Sequence, residues 1–366
     1  MKKIIVSGGG TGGHIYPAVA VAEALTRRFG EDVEILFVGA EGKMEMEKVP
    51  QLGYHIVGLP IAGLQRRADW HNLLVPFKVL KSIRRAKRTI REFGADVCVG
   101  FGGYASAPVL WAAQRLGVPT LIQEQNSYAG LTNKILAKGA RRICTAYEHM
   151  ERFFPQEKIT MTGNPLRGRF TKEGANREEA LQYYGFKKEL PVILVVGGSL
   201  GTRSMNEMMK AWILSTGGKA EVQVIWQTGK YYEREMQSFL KEHPAAHVWQ
   251  GAFIERMDYA YAAADVVLSR SGANTVSELC LVAKPTVFIP SPNVAEDHQT
   301  KNARALADVG AALLVADREC KDRAMECAIE LARDAERKAE MSRNIERLAR
   351  PRAAEDIVDE IVKLLG

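Results

Sequence analysis

Twice along this chain a short run of β-branched and aliphatic residues ends in a glycine-rich loop that passes directly into a helical segment. Ile4-Ile5-Val6 runs into Ser7-Gly8-Gly9-Gly10-Thr11-Gly12-Gly13-His14, and Val192-Ile193-Leu194-Val195-Val196 runs into Gly197-Gly198-Ser199-Leu200-Gly201. After the first start, short apolar runs near Val33, His55, Val97, Thr120, Arg142 and Ile159 alternate with longer amphipathic stretches. After the second, the runs lie near Val222, His247, Asp265, Pro285 and Ala312. Such alternation is the pattern of a parallel, doubly wound α/β sheet. Its repetition predicts two Rossmann-like domains facing across a cleft, each with its glycine loop at the carboxyl edge of its sheet, where α/β proteins bind ligands. At 366 residues the chain also exceeds the length at which one hydrophobic core stops growing. The predicted divisions are an N-terminal domain over 1–163, a Gly-, Pro- and charge-rich linker over 164–190, a C-terminal domain over 191–348 and a closing helix over 349–366. The Arg/Glu/Ala-rich stretch from Asp334 to Gly366 reads as solvated surface helices, the last expected to return to the N-terminal domain.

A glycine loop ahead of a helix binds anions, because glycine brings backbone N–H groups close to a ligand and the helix start adds unpaired donors and a positive dipole end. Gly8, Gly10 and Gly13 fit the G-x-G-x-x-G spacing, and Glu41, just past the second strand, could hold a ribose hydroxyl; a nicotinamide-dependent oxidoreductase therefore stands as one reading. A P-loop would need Lys-Ser/Thr where His14 stands. A second anion site on the same domain is expected at Gly100-Phe101-Gly102-Gly103-Tyr104-Ala105-Ser106, after the strand from Asp96. Gln123-Glu124-Gln125-Asn126 forms a polar cluster at a strand's carboxyl end. In the second half Ser269-Arg270-Ser271-Gly272-Ala273-Asn274-Thr275 opens a helix with Glu278 one turn in, where it could accept from vicinal hydroxyls.

No apolar run approaches the roughly 20 residues that span a bilayer. The N-terminus enters a strand at once, so no signal peptide is expected and a cytoplasmic location is. The five cysteines, Cys98, Cys144, Cys280, Cys320 and Cys327, are scattered and lack any C-x-x-C pair, so they read as small buried hydrophobes. Charge is concentrated: Lys78, Lys81, Arg84, Arg85, Lys87, Arg88 and Arg91 follow one another with no acid between Asp69 and Glu92. Leu73, Phe77, Leu80, Ile83, Ile90 and Phe93 recur at helical spacing there, which alone describes a crossover helix packed on the sheet. With Leu64, Trp70, Leu73, Leu74, Val75 and Phe77 as an exposed apolar patch ringed by Lys78 to Arg91, the same segment would press on an anionic membrane surface. Nucleic acid is not expected as a partner, since no stacking aromatics are interleaved with the charge.

Seven motifs, in order and spacing, resemble those of the bacterial MurG glycosyltransferases. They are Gly10-Thr11-Gly12-Gly13-His14 with Pro17, Gly100-Phe101-Gly102-Gly103-Tyr104, Gln123-Glu124-Gln125-Asn126, Gly163-Asn164-Pro165-Leu166-Arg167, Gly197-Gly198-Ser199-Leu200-Gly201, Arg270-Ser271-Gly272-Ala273 with Glu278, and Asp297-His298-Gln299. The resemblance covers essentially the whole chain. It implies the two-domain GT-B fold, and an inverting transfer of N-acetylglucosamine from UDP-GlcNAc to the 4-hydroxyl of MurNAc in lipid I, the undecaprenyl-pyrophosphoryl-MurNAc-pentapeptide, giving lipid II for peptidoglycan at the cytoplasmic face of the membrane.

By that resemblance Ser199 meets the donor pyrophosphate, Ile254 the uracil and Glu278 the ribose, while Ala273, Asn274, Thr275 and Gln299 surround phosphate and sugar. The family often carries a pair of glutamines where this chain has Asp297-His298-Gln299. Asn126 and Arg167 reach the donor, Thr11, Gly12 and Gly13 complete its site, and Gly102, Gly103 and Tyr104 serve the acceptor pyrophosphate. No Asp-x-Asp occurs, so no metal ligand set is expected and no cofactor. Departure of UDP then needs oriented donors. His14 is the leading candidate for the base that takes the acceptor's proton, because a positive helix end favours a neutral imidazole; Glu124 is the alternative. A UDP-sugar 2-epimerase would share fold and donor site.

Overall fold

The structure is a computed structural model that describes residues 1–61, 75–168, 174–198, 200–216 and 221–366, with backbone only at Val75, Pro76 and Ala295. Leu64, Trp70, Leu73, Leu74 and Ser199 lie outside the described residues, as does the side chain of Val75. The chain divides into two compact units, Met1–Gly168 with Arg350–Gly366, and Arg169–Ala349.

In the first unit the described strands are β1 (Lys2–Ser7), β2 (Val33–Ala40), β3 (His55–Leu59), β4 (Val97–Gly100), β5 (Thr120–Glu124), β6 (Arg142–Thr145) and β7 (Ile159–Met161). They form one parallel sheet in the order β3-β2-β1-β4-β5-β6-β7. The second unit carries β8 (Val192–Val196), β9 (Gln223–Gln227), β10 (Val248–Gly251), β11 (Val266–Ser269), β12 (Thr286–Phe288) and β13 (Leu313–Leu314), parallel in the order β10-β9-β8-β11-β12-β13. Both are doubly wound, as the alternation of short apolar runs predicts. Helices cover both faces, so the strands read as continuous apolar runs; Ile4, Ile5, Val6 and Val192 to Val195 are all fully buried. In each order the first strand of the unit lies between the second and the fourth. That reversal of winding opens a crevice at the carboxyl ends of β1 and β4, and of β8 and β11, directly under the loops singled out above.

Two expectations change in three dimensions. The stretch from Asp334 is not solvated throughout: helix Ala353–Val362 buries Ala354, Ile357, Val358 and Ile361 against Ile4, Val6 and Leu25 of the first unit. Arg27 with Glu355, and Arg28 with Asp359, pair along the same contact. Its apolar residues recur at helical spacing, which gives the helix one buried face. Within the stretch read as linker, helix Arg177–Tyr184 belongs to the second unit. Asn176 caps it by accepting from the Glu178 and Glu179 N–H groups, and Arg177 pairs with Asp265 at 2.8 Å.

Helix Val75–Phe93 also divides its apolar residues differently. Ser82, Ala86 and Ile90 face the core, whereas Phe77 and Leu80 are 72% and 47% exposed. These two share the outward face with Lys81, Arg84 and Arg88, and a groove beside them is lined by Lys81, Arg84, Arg85 and Arg88 over Leu36, Val57 and Phe93. No described helix is long and apolar enough to cross a membrane.

Candidate active site

His14 stands in the first turn of helix Gly12–Phe29, at the carboxyl end of β1. Thr11 is extended (φ −148°, ψ 157°), and its carbonyl accepts from the N–H groups of His14 and Ile15, which starts the helix. Pro17 lacks the N–H that would bond the Gly13 carbonyl, and its buried ring fixes the second turn against the core. The His14 imidazole places Nδ1 3.0 Å from the Gly9 carbonyl oxygen and 3.3 Å from Thr11 Oγ1. A carbonyl only accepts, so Nδ1 carries the proton and Nε2 the lone pair.

Because β4 is the neighbour of β1, its loop meets this one. Phe101 N–H donates to the Ser7 carbonyl at 2.8 Å, and the His14 ring lies against Gly102, 3.1 Å from where a Cβ would stand. Gly103 (φ +82°) passes so close to Gly9 that a Cβ would collide with the Gly9 carbonyl oxygen. Only glycine allows this approach. His14, Gly102 and Gly103 are thus brought together with Thr11, Gly12 and Gly13, and Tyr104 is 53% exposed beside them.

The cluster at the carboxyl end of β5 turns inward. Gln123 Nε2 donates to Asn164 Oδ1 at 3.0 Å, Asn164 donates to the Gln125 carbonyl, and Gln125 Nε2 donates to the Phe101 carbonyl at 2.9 Å. Glu124, only 3% exposed, accepts from Asn133 Nδ2 at 2.8 Å, Gly130 N–H at 3.0 Å, and Asn126 N–H and Nδ2. Burial pushes its carboxyl above the usual range, and those hydrogen bonds pull it back. Its two oxygens hold the loop that presents Asn126. Arg167 pairs with Glu23 of the first helix at 3.1 Å.

In the second unit Gly272 caps helix Ala273–Leu281, whose first turn carries the N–H groups of Ala273, Asn274 and Thr275 at the positive end of the helix dipole. Asn274 Oδ1 is buried without a hydrogen-bond partner, an acceptor that a ligand hydroxyl would satisfy. One turn on, Glu278 Oε2 accepts from the buried Tyr261 hydroxyl at 3.1 Å. Burial pushes the Glu278 carboxyl up to about 7, against the pull of that hydroxyl. Gln299 accepts from Ser291 N–H through Oε1 and from Ser271 Oγ through its carbonyl, tying the 291–299 loop to the same helix start. Ile254 is 2% exposed, so little of its side chain is left for a ligand to touch.

The comparisons with known proteins agree along the whole chain. Residues 4–145 match the glycosyltransferase family 28 N-terminal domain and 192–357 the family's C-terminal domain. A UDP-N-acetylglucosamine--N-acetylmuramyl-(pentapeptide) pyrophosphoryl-undecaprenol N-acetylglucosamine transferase of Parabacteroides distasonis is 54% identical over 363 residues, covering 99% of this chain and 98% of that protein. The chain belongs to the MurG family of glycosyltransferases. The crystal structure of MurG from Acinetobacter baumannii superposes with a TM-score of 0.81 at 31% identity, covering 99% of this chain and all of that one. A UDP-N-acetylglucosamine 2-epimerase, at 14% identity and TM-score 0.65 over 99% of this chain and 95% of that one, shares the fold alone.

Within this MurG-family frame, three side chains organise the loops: Arg270, which lies in a sequence motif, and Tyr261 and Glu45, which no motif singled out. Arg270, just after β11, pairs with Asp317 at 2.7 Å, bonds Ser204 Oγ and the Ile289 carbonyl, and approaches Thr202 Oγ1, which in turn donates to the Gly197 carbonyl. Tyr261 orients Glu278. Glu45, rather than Glu41, meets the first glycine loop: Glu41 is exposed and pairs with Arg85, while the fully buried Glu45 accepts from Gly10 N–H at 2.9 Å. The dinucleotide reading, which needs Glu41 for a ribose, loses its acid.

Proposed function

We propose that the chain is an inverting hexosyltransferase that moves N-acetylglucosamine from UDP-GlcNAc to the 4-hydroxyl of MurNAc in lipid I, forming lipid II. The observation that carries this reading is His14, an imidazole with Nδ1 committed to a backbone carbonyl and Nε2 as its acceptor nitrogen, set between two glycine loops. As the acceptor oxygen bonds the anomeric carbon and the bond to UDP breaks, Nε2 takes the hydroxyl proton and the pyrophosphate takes the electron pair. Gly102, Gly103 and Tyr104 are read as the acceptor-pyrophosphate side. Ser199 and the helix start at Ala273, Asn274 and Thr275 are read as donor-phosphate contacts, with Asn126, Arg167 and Gln299 as further polar contacts and the Ile254 backbone against the base. Fixed N–H groups and dipoles stabilise the charge that develops on the leaving group.

Glu278 is read as the acceptor of the ribose hydroxyls. Those hydroxyls donate, so the carboxylate is the binding form. With its carboxyl at about 7, affinity for UDP is expected to weaken as pH falls below that value, approaching about tenfold per pH unit. Glu278→Gln should bind weakly and show no such slope in titration calorimetry.

The exposed Phe77 and Leu80 among Lys81, Arg84 and Arg88 support peripheral attachment to an anionic membrane on its cytoplasmic face, where a polyprenyl acceptor would lie. One assay tests both readings: radiolabelled UDP-GlcNAc with a short-chain lipid I analogue, either dissolved or embedded in anionic vesicles. Labelled lipid is expected from both acceptors. Replacing Lys81, Arg84 and Arg88 together by Glu should weaken vesicle binding about 100-fold or more, at about 1 kcal/mol per basic side chain, and slow only the embedded acceptor. Free UDP with an altered sugar would overturn the transferase reading, and equal loss on both acceptors would overturn the membrane reading.

A further inference from the structure

Glu45 lies in the first turn of helix Glu45–Gln51, fully buried, and no step above uses it. Its two oxygens are both acceptors: Oε1 takes the Ala40 N–H at 3.0 Å, at the end of β2, and Oε2 takes the Gly10 N–H at 2.9 Å. Gly9 and Gly39 wrap the Glu45 side chain so closely that a Cβ would collide with its carboxylate at Gly9 and with its Cγ at Gly39. A buried acceptor of two N–H groups fixes the backbone it holds, since releasing either leaves a buried group unpaired.

The backbone it holds is one particular peptide plane. Gly10 N–H and Gly9 C=O belong to the same peptide unit, which is trans, so the two groups point in opposite directions. Glu45 grips the N–H end, and the C=O end receives His14 Nδ1–H at 3.0 Å. A carboxylate and an imidazole therefore clasp a single peptide from its two ends. Rotating that peptide would break both bonds at once. The carboxylate also polarises the peptide, which makes the Gly9 carbonyl a stronger acceptor.

We infer that Glu45 is a positioning residue for His14, acting through the Gly9–Gly10 peptide to hold the imidazole in its Nδ1–H tautomer and in the orientation that presents Nε2. The arrangement does what a directly bonded carboxylate does for a catalytic histidine, with a peptide group interposed. The consequence for turnover rests on the reading of His14 as base; the consequence for the tautomer does not.

The test uses the full chain labelled with 15N-histidine. Two-bond 1H–15N correlation, with His14 assigned by comparison with His14→Gln, should show wild-type His14 protonated at Nδ1. In Glu45→Gln the amide must turn an NH2 toward one of the two N–H groups, and in Glu45→Asp the shorter side chain cannot span both. Both variants should shift His14 toward the Nε2–H tautomer and lower kcat by about 10- to 100-fold, with KM for UDP-GlcNAc within about threefold. Wild-type His14 found as the Nε2–H tautomer would overturn the inference whether or not the variants fold. Loss of kcat with an unchanged tautomer in a folded variant would also overturn it, since a merely structural role predicts that outcome. A shifted tautomer with normal kcat would uphold Glu45 as the positioning group and overturn His14 as base.

Discussion

His14→Ala is expected to lower kcat by about 10²- to 10⁴-fold while leaving the affinity for UDP within about threefold. The imidazole meets the Gly9 carbonyl, Thr11 Oγ1 and the face of Gly102, which belong to the first unit. Ser199, the helix start at Ala273, Asn274 and Thr275, and Glu278, read as holding phosphate and ribose, belong to the second unit. Removing the ring therefore takes away proton transfer and leaves nucleotide binding in place, so kcat and donor affinity separate. The helix start itself survives, because the Thr11 carbonyl bonds and the Gly10 N–H bond to Glu45 do not depend on the ring. Single-turnover kinetics with excess enzyme, together with calorimetric titration of UDP, would measure both quantities. A variant within threefold of wild-type kcat would remove His14 as the base.

The second large effect is on stability. Glu124→Ala should destabilise the first unit by roughly 2–4 kcal/mol, because Asn133 Nδ2, Gly130 N–H and Asn126 N–H lose their acceptor in a site that admits little water. For a unit of this size that corresponds to a fall of about 5–15 °C in melting temperature. Glu124→Gln keeps one oxygen and should lose about half as much. The same pair of variants decides the alternative base. A carboxylate whose two oxygens are occupied by loop donors is poorly placed to accept a substrate proton, so Glu124→Gln is expected to retain far more kcat than His14→Ala at a temperature where both are folded. The reverse order of activities would make Glu124 the base.

How far the residues alone reach is clear from particular cases. The short apolar runs locate strands within a residue or two, as with β8 at Val192–Val196, and the order of glycine loops between them carries the family. Both are local properties: strand formation follows from β-branched residues buried on two faces, and a tight strand-to-helix passage follows from glycine. The candidate site was legible where a motif residue is its own signal, as at His14, Gly102, Gly103 and Glu278. It was illegible where the function of a side chain is to hold another segment. Gln123, Glu124 and Gln125 stand in one polar run, and nothing in that run says that they turn inward to bond Asn164, Asn133 and the Phe101 carbonyl.

By itself, then, the sequence determined two parallel α/β halves, the positions of their anion-binding loops and the family to which they belong, because each rests on spacing within a few residues. Only the tertiary structure decided that Glu45 and not Glu41 meets the first loop, that Phe77 and Leu80 face outward while Ala86 and Ile90 face the core, and that Ile357 and Ile361 pack beside Ile4. Glu41 and Glu45 are both acids just beyond β2, and both could reach a loop. What separates them is a pair of N–H groups, one of them 35 residues away in sequence, that pays for burying one carboxylate and leaves the other in water with Arg85. Periodicity reveals that an element has an apolar face; only the assembled sheet, with β4 drawn beside β1, supplies the partner for it.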